Sequence, residues 1–299
     1  MSICEEEIAG QPDLWRRAAR LAPEVAGVLP APGQTACVVG CGTSLYMAQA
    51  WAALREDAGH GHTDAFPASE LPVGRDYDVL VAISRSGTTT EVERALARTA
   101  ARRTVALTAV GESPVAGAAG AAVTLGFADE RSIVQTRFAT TALSLLRAHV
   151  GGDVEAAALD AETALAAALP LAPADVAQWT FLGRGWTVGL ASEAALKLRE
   201  AAGAWTEAYP AFEYRHGPIS VTGERSVVWS FGPLDAGLAA AARAAGARVV
   251  DPPLDPLAGL VAAQRTAVAL AGARGLDPDR PRHLTRSVVL SDDPLEVLP

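Results

Sequence analysis

The sequence has little lysine, little cysteine and no surplus of positive charge, and the last two features exclude classes of protein. A single lysine, Lys197, stands among 25 basic residues, a bias towards arginine that is typical of a GC-rich genome. The net charge is -9 and no basic run occurs, which argues against a nucleic-acid-binding surface. The three cysteines (Cys4, Cys37 and Cys41) are too few and too unevenly spaced for a disulfide framework or a zinc site. We therefore expect a reduced protein with no metal.

Long hydrophobic runs are also missing. No apolar stretch approaches the roughly 18 residues that indicate a transmembrane helix. The N-terminus, MSICEEEIAGQPDLWRR, opens with acidic residues, the wrong sign for a secretory signal. Half of the residues are apolar, which is enough to bury a sizeable core. We expect a cytoplasmic, globular protein that binds neither a membrane nor nucleic acid.

Apolar runs alternate with helical stretches along the whole chain. Strands are predicted at 35–40, 77–84, 104–110, 121–127, 179–184, 226–232, 247–253 and 287–290. Helices are predicted at about 44–57, 89–102, 132–149, 192–203 and 257–274, with one more between the strands at 226–232 and 247–253. Continuous apolar strands separated by helices indicate parallel sheets covered on both faces, so the fold class is α/β.

The pattern divides into two successive α/β units. We expect a first unit at 1–150 and a second at 176–299. The Ala-rich stretch 151–175, which contains Pro170 and Pro173, is predicted to connect them.

Two turns after predicted strands carry many hydroxyl groups. GCGTS (40–44) combines two glycines with Thr43 and Ser44 ahead of a helix, and helix N-termini attract anions. SRSGTTTE (84–91) places five hydroxyl side chains around Gly87, although an ordinary helix cap needs only one. The lysine–serine pair of a nucleotide-binding P-loop is absent, so these turns favour a phosphomonoester and predict no cofactor.

These turns resemble those of the sugar isomerase (SIS) family. The resemblance continues through ERSIVQTR (130–137), the segment 181–218 and DPDRPRHLTRSVVL (277–290). Within that family, the sequence is similar to the isomerase half of glucosamine-6-phosphate synthase and to stand-alone amino-sugar-phosphate isomerases and deaminases. The resemblance implies two tandem SIS subdomains, each a doubly wound, mostly parallel, flavodoxin-like sheet flanked by helices. It also implies a homodimer whose sites are shared between subunits.

One predicted helix presents a charged face. Glu193, Lys197 and Glu200 are spaced i, i+4 and i+7, so they share one side of the helix. An exposed Glu–Lys–Glu ladder would give the same pattern. The resemblance instead assigns catalysis: Glu200 moves the proton between C1 and C2 of an open-chain sugar, and Glu193 positions Lys197 or contacts the sugar. His216 assists ring opening and reaches a neighbouring subunit.

The resemblance further assigns the substrate phosphate and sugar contacts and a C-terminal residue. The contacts are Cys41, Gly42, Thr43, Ser44, Ser84, Arg85, Ser86, Thr89 and Gln135. Gln135 stands where the synthase has a serine. Arg286 stands where the synthase has an imine-forming lysine, and a guanidinium cannot form an imine. Arg286 could still stabilise negative charge.

The expected function is an enzyme on a hexosamine 6-phosphate, either glucosamine 6-phosphate or its N-acetyl derivative. Isomerisation or deamination after removal of the C2 proton comes first. No glutamine-hydrolysing domain precedes the first strand, so transfer of glutamine-derived ammonia is not expected. The alternatives are a dehydratase, a lyase that eliminates water from N-acetylglucosamine 6-phosphate, and a non-catalytic phosphosugar sensor. The sensor is disfavoured because too few residues precede the first strand for a helix-turn-helix domain.

Overall fold

The computed structural model describes residues 1–72 and 74–290, and its strands form two parallel sheets, one after the other along the chain. The first sheet contains β1 (Ala36–Gly40), β2 (Thr63–Pro67), β3 (Val79–Ser84), β4 (Arg103–Thr108) and β5 (Ala121–Thr124), in the order β2-β1-β3-β4-β5. The second contains β6 (Gln178–Gly183), β7 (Thr206–Pro210), β8 (Ser226–Phe231) and β9 (Arg248–Val250), in the order β7-β6-β8-β9. Every neighbouring pair is parallel. This confirms the predicted α/β class, and the order of the first sheet is the flavodoxin-like one.

Helices flank both sheets. They are α1 (Ile3–Ala9), α2 (Gln11–Val25), α3 (Thr43–Asp57), α4 (Thr90–Arg98), α5 (Pro114–Ala118), α6 (Arg137–His149), α7 (Val154–Ala166), α8 (Thr187–Ala202), α9 (Ala236–Ala244) and α10 (Pro256–Ala273). Among the described residues, no helix is both long enough and apolar enough to cross a membrane.

The two sheets share one hydrophobic core, and α3 and α8 cross inside it. Trp51 of the first half and Trp179 of the second are both fully buried in this core. The crossing is close because α8 carries Gly189, where a Cβ atom would lie 2.4 Å from the Tyr46 carbonyl oxygen and 2.9 Å from the Ala50 nitrogen. The two halves therefore meet backbone to backbone.

Two short edge strands were not predicted, although they carry a shared sequence signal. β2 reads TDAFP and β7 reads TEAYP, and each pairs with the first strand of its own sheet. Each contains an acidic residue and ends in proline, as suits an edge strand, so neither shows the apolar run that marked the other strands. The repeated pattern of threonine, acid, alanine, aromatic and proline could have revealed both.

One predicted strand is absent, and one predicted helix starts later than expected. Residues 287–290 were predicted to be a strand, but they pair with neither sheet and lie across the loop that follows β3. The helix predicted at 132–149 begins only at Arg137. Residues 130–136 form a loop instead, because Glu130 accepts hydrogen bonds from the Thr136 and Arg137 backbone N–H groups and so fixes the turn before the helix.

The segment 151–175, predicted to be a connector, contains α7, which packs against α2 and α10. The C-terminal part of the chain also contacts the N-terminal helix, since the carboxylate of Asp279 accepts hydrogen bonds from the Ile3 and Cys4 N–H groups in α1. The boundaries at 150 and 176 stay a prediction.

Candidate active site

The GCGTS turn leads from β1 into α3. A Cβ atom on Gly40 would lie 2.6 Å from the backbone of Ser44, so only glycine allows a turn this tight. Gly42 follows with φ of 53°, a left-handed conformation that favours glycine. The helix then begins at Thr43, and both Thr43 and Ser44 are buried. The turn thus brings two hydroxyl groups to the end of the first sheet.

The SRSGTTT loop lies beside this turn, because β3 pairs directly with β1. Ser84 Oγ accepts a hydrogen bond from the Gly87 N–H at 3.2 Å and lies 3.4 Å from Thr89 Oγ1. Thr89 is the N-cap residue of α4, yet its side chain makes no capping hydrogen bond. From β1 the chain crosses to β2 on one side, and from β3 it crosses to β4 on the other. The two turns therefore flank the topological switch point, where ligands bind in sheets of this kind.

The charged face of α8 lies under the GCGTS turn. Lys197 Nζ donates to Thr43 Oγ1 at 2.9 Å, lies 3.3 Å from Glu193 Oε1 and hydrogen-bonds Glu200 Oε2. Lys197 and Glu193 are each 1% exposed, whereas the Glu200 side chain retains 18% exposure. The face is therefore a buried cluster and not an exposed ladder. Glu200 is its solvent-facing member.

Burial shifts the protonation of this cluster. Desolvation raises the pKa of Glu193 to about 8, and the nearby Glu200 adds to the rise while Lys197 and Thr43 oppose it. Desolvation works against a charged Lys197, but the two carboxylates outweigh it and raise the pKa of the ammonium group. Lys197 thus remains a cation at neutral pH, and Glu193 is held close to its titration point.

Thr43 was predicted to contact the substrate, and the structure gives it a second task. Its hydroxyl lies between Lys197 and Glu193 Oε1, the latter at 3.3 Å. Thr43 thereby joins the first half of the chain to the second. The other oxygen of Glu193, Oε2, is buried without a hydrogen-bond partner. The candidate site lies at the junction of the two halves.

Arg85 was also predicted to contact the substrate, but its side chain is buried and occupied by the protein. Its guanidinium donates to the carbonyl oxygens of Ser132 at 2.9 Å and Arg286 at 2.9 Å, and more weakly to Ile133 at 3.4 Å. Glu130 Oε2 lies 3.7 Å away. This arrangement fixes the loop after β3 to two other segments, and the predicted substrate contact of Arg85 stays a prediction.

Arg286 holds the C-terminal segment against the loop that precedes α6. Its guanidinium donates to the Glu130 carbonyl oxygen and to Asp129 Oδ1, the latter at 2.6 Å. The same loop carries Gln135, whose Oε1 is buried without a hydrogen-bond partner. Gln135 is therefore placed to take a donor, whereas the charge of Arg286 is already paired.

Two predicted residues stand apart from the buried cluster. His216 is exposed on the short turn after β7. Cys41 is partly buried, and desolvation raises the pKa of its thiol to about 11, so it is protonated at neutral pH. The predicted contact of Cys41 with the substrate stays a prediction.

The sequence interpretation missed Glu130 and Glu7, which organise the loop 130–136. Glu130 is 1% exposed, and desolvation raises its pKa although Arg85 opposes the shift. Glu7 of α1 accepts hydrogen bonds from the Arg131 N–H and from the Ser132 hydroxyl. The signal available for Glu130 was ERSIVQTR itself, whose polar and charged residues leave only Ile133 and Val134 apolar before α6. Within 1–72 and 74–290, no group of three His, Cys, Asp or Glu side chains could hold a metal.

Comparison with known proteins relates the first half of the chain to a described family. Residues 33–149 match the family model of the SIS domain, which confirms the predicted resemblance over this part of the chain. An isomerizing glutamine–fructose-6-phosphate aminotransferase of Methanothermobacter thermautotrophicus is 27% identical over 95% of this chain and 57% of its own. One from Sulfolobus acidocaldarius is 32% identical over 62% of this chain and 34% of its own. The chain spans about half the length of such relatives.

Solved structures share the whole architecture. Glucosamine-6-phosphate deaminase from Thermotoga maritima superposes with a TM-score of 0.83 at 25% identity, covering 97% of this chain and 100% of that one. Tagatose-6-phosphate ketose/aldose isomerase from Escherichia coli superposes with a TM-score of 0.78 at 19% identity, covering 93% and 94%. The second likeness shows the fold alone. Both confirm the two-sheet arrangement.

Proposed function

We propose that the protein is a phosphosugar enzyme that acts on a hexosamine 6-phosphate through removal of the C2 proton. The observation that carries this proposal is the cluster of Lys197, Glu193 and Glu200 beneath a hydroxyl-rich turn. A buried ammonium group beside a partly exposed carboxylate is a costly arrangement for stability alone. The same arrangement suits catalysis, because the carboxylate can act as a base while the ammonium group stabilises negative charge that develops on the substrate.

In this proposal Glu200 is the base. Its carboxylate takes the proton from C2 of the open-chain sugar, and Lys197 stabilises the negative charge that develops on the substrate. Return of that proton to C1 completes an isomerisation. When the C2 substituent is a free amine, the resulting imine is hydrolysed by water, which releases ammonia and leaves the ketose phosphate.

The phosphate belongs, in this proposal, at the two turns. Ser84, Ser86 and Thr89 provide hydroxyl groups from one turn, and Ser44 provides one from the other at the start of α3. Hydroxyl donors and helix N-termini together favour an anion without a bound metal. The likeness over full length to a protein named glucosamine-6-phosphate deaminase supports this substrate class.

A dehydratase is the second candidate, and Arg286 favours it. A guanidinium stays protonated and cannot form an imine with a ketose, and this one is also paired with Asp129 at 2.6 Å. N-acetylglucosamine 6-phosphate would lose its C3 hydroxyl after the same proton abstraction. The buried, unpartnered Oε1 of Gln135 suits the amide N–H of an N-acetyl group. A non-catalytic sensor is the third candidate and would bind these sugars without turnover.

We also propose a homodimer in which His216 of one subunit serves the site of the other. His216 is exposed, and among the described residues no hydrogen bond or ion pair joins it to the buried cluster. Trp205 and Phe212, which precede and follow the edge strand β7 along the chain, are 76% and 45% exposed, which suits a surface covered by a partner. The dimer would place the imidazole near a substrate ring oxygen.

The decisive experiment incubates the protein in D2O with glucosamine 6-phosphate and, separately, with N-acetylglucosamine 6-phosphate. We expect deuterium to enter at C2, followed by either ammonia and fructose 6-phosphate or the loss of one water. Glu200→Gln should abolish the exchange, whereas Glu93→Gln, an exposed glutamate of α4, should leave it unchanged. Undiminished exchange in Glu200→Gln would exclude Glu200 as the base, and binding without exchange would favour the sensor.

A further inference from the structure

The C-terminal segment reaches the hydroxyl-rich loop with a hydroxyl group of its own. We define residues 285–290 as the C-terminal strap. Within it, Ser287 Oγ lies 2.9 Å from Thr88 Oγ1 and 3.1 Å from Ser86 Oγ. Thr88 Oγ1 and Ser86 Oγ are themselves 3.2 Å apart. Three hydroxyl oxygens from two distant parts of the chain therefore form a triangle at the end of β3.

The placement of Ser287 is fixed by contacts on both sides of it. Before it, the Arg286 carbonyl oxygen accepts a hydrogen bond from Arg85, and the Arg286 guanidinium is held by Asp129. After it, the Val288 carbonyl oxygen accepts from the Thr90 N–H at 3.3 Å, and the Leu290 N–H donates to Thr90 Oγ1 at 2.9 Å. The buried Arg85 thus links the strap to the very loop that Ser287 contacts.

Hydroxyl groups in such a triangle can turn towards a better acceptor. Each hydroxyl group has one proton and a freely rotating O–H bond, so the three can bond to one another, while Ser86 Oγ also accepts from the Thr88 N–H at 3.2 Å. Hydrogen bonds to an ionised acceptor are about twice as strong as those between neutral groups. A phosphate beside the triangle would therefore draw all three protons towards its oxygens without moving the backbone.

We propose that Ser287 is a phosphate-binding residue, delivered by the C-terminal strap, and that binding of a phosphomonoester fastens the strap over the site. This inference rests on the proposed function, because it assumes that the loop after β3 binds the substrate phosphate. It adds a residue from the far end of the chain to that site. It also makes strap closure depend on the phosphate group and not on the sugar.

The test is a calorimetric titration of the full-length protein with inorganic phosphate and with glucosamine 6-phosphate. Loss of one hydrogen bond to an anion predicts that Ser287→Ala raises the Kd for both ligands about tenfold. Ser287→Thr, which retains the hydroxyl, should stay close to the wild-type Kd. Thr285→Ala is the matched control, because its hydroxyl lies on the same strap but bonds to the Ser287 carbonyl oxygen and not to the loop. Ser86→Ala should weaken binding as Ser287→Ala does.

The outcomes separate this inference from the proposed function. If wild-type protein binds neither ligand, both are overturned. If Ser86→Ala loses affinity while Ser287→Ala keeps the wild-type Kd, the phosphate site stands and the role of Ser287 is overturned. Tighter binding by Ser287→Ala would show that Ser287 competes with the phosphate, which also overturns it.

Limited trypsin digestion supplies a second readout that does not depend on affinity. Trypsin cuts after arginine, and Arg286 immediately precedes Ser287. Saturating inorganic phosphate should slow cleavage after Arg286 in wild-type protein and in Thr285→Ala, but not in Ser287→Ala. Equal protection of wild type and Ser287→Ala at saturation would overturn the coupling between phosphate and strap.

Discussion

At the scale of single residues, the position of the only lysine is explained by burial and charge. Lys197 is 1% exposed and lies between two carboxylates and the Thr43 hydroxyl. An arginine at this position would carry the same charge, and the composition of the chain favours arginine. The planar guanidinium of arginine is larger than an ammonium group, however, and it cannot direct three donors at three close oxygens. We infer that the site retains lysine against the bias of the sequence.

Lys197→Arg is expected to lower turnover at least tenfold and to destabilise the fold by about 1–3 kcal/mol, because the extra atoms overpack a closed space. Urea denaturation and the C2 exchange assay measure the two effects. Arg199→Lys, an exposed position on the same helix, is the matched control and should be nearly neutral. Full activity in Lys197→Arg would show that any cation is sufficient here.

Glu193 predicts a specific pH dependence of stability. Burial raises its pKa to about 8, so between the ordinary carboxyl pKa and that value the folded protein holds a proton that the unfolded chain has lost. Stability should therefore fall as pH rises through this window, by up to about 1.4 kcal/mol per pH unit. Glu193→Gln carries no titrating group and should lack this contribution. Denaturation curves from pH 5 to 8.5 measure the difference, and parallel pH profiles for the two proteins would contradict the prediction.

At the scale of helices and strands, the close crossing of α3 and α8 depends on one glycine. Gly189→Ala would place a Cβ atom 2.4 Å from the backbone oxygen of Tyr46, and a backbone atom inside the core cannot move aside cheaply. We expect a loss of about 1–3 kcal/mol in unfolding free energy and reduced activity, because Thr43 and Lys197 sit on these same two helices.

Gly272→Ala is the matched control for that prediction. Gly272 lies in α10, and a Cβ atom there would meet nothing within 4 Å. Alanine in a helix is favoured over glycine, so this variant should gain up to about 1 kcal/mol. If the close approach of α3 and α8 matters, chemical denaturation should show a lower unfolding free energy for Gly189→Ala and a higher one for Gly272→Ala. Equal changes in unfolding free energy would mean that helix propensity alone determines the effect of both substitutions.

Most elements could be predicted because their apolar patterns are local. β1 and β3 are buried on both faces and read as continuous apolar runs, whereas β2 and β7 are edge strands with an acid and a proline. The segment 287–290 is apolar and β-branched, yet a strand also needs an unpaired edge beside it, and this segment reaches a loop instead. Its structure depends on contacts some 200 positions away, which no local pattern reports.

The candidate site also has one part that the local sequence predicts and another that it does not. The spacing of Glu193, Lys197 and Glu200 on one helix predicted their common face without any tertiary information. The hydrogen bonds of the Arg85 side chain could not be predicted, because its partners are carbonyl oxygens of residues 132, 133 and 286. Backbone carbonyls exist at every position, so only the folded arrangement shows which of them meet an arginine.

At the scale of the whole molecule, the two sheets form one structural unit. The shared core runs through both, and Arg147 of α6 makes a paired interaction with both oxygens of Asp255 at the start of α10, at 2.9 and 2.7 Å. The site takes Thr43 from one half and Lys197 from the other. The proposed phosphate turns lie in the first half and the proposed base in the second, so we expect activity to require both halves.

In the proposed dimer, each site also depends on a second copy of the chain, because that copy provides His216. Mixing two inactive variants tests this sharing of sites between subunits. Glu200→Gln lacks the base, and His216→Ala lacks the exposed imidazole, so each homodimer should be inactive. In a mixed dimer, one site would combine the intact Glu200 of one subunit with the intact His216 of the other.

Random exchange of the two variants in equal amounts should therefore restore about a quarter of the wild-type activity, since half of the dimers are mixed and each has one complete site. The mixture must be dissociated and reassembled first, with size-exclusion chromatography to confirm the dimer. The control mixes Glu200→Gln with Lys197→Met, two changes on the same helix face. Those two lesions always leave every site defective, because both residues come from one subunit, so no activity should return. Recovery in the first mixture and none in the second would place His216 in the neighbouring site. No recovery in either, with dimers present, would restrict each site to a single chain.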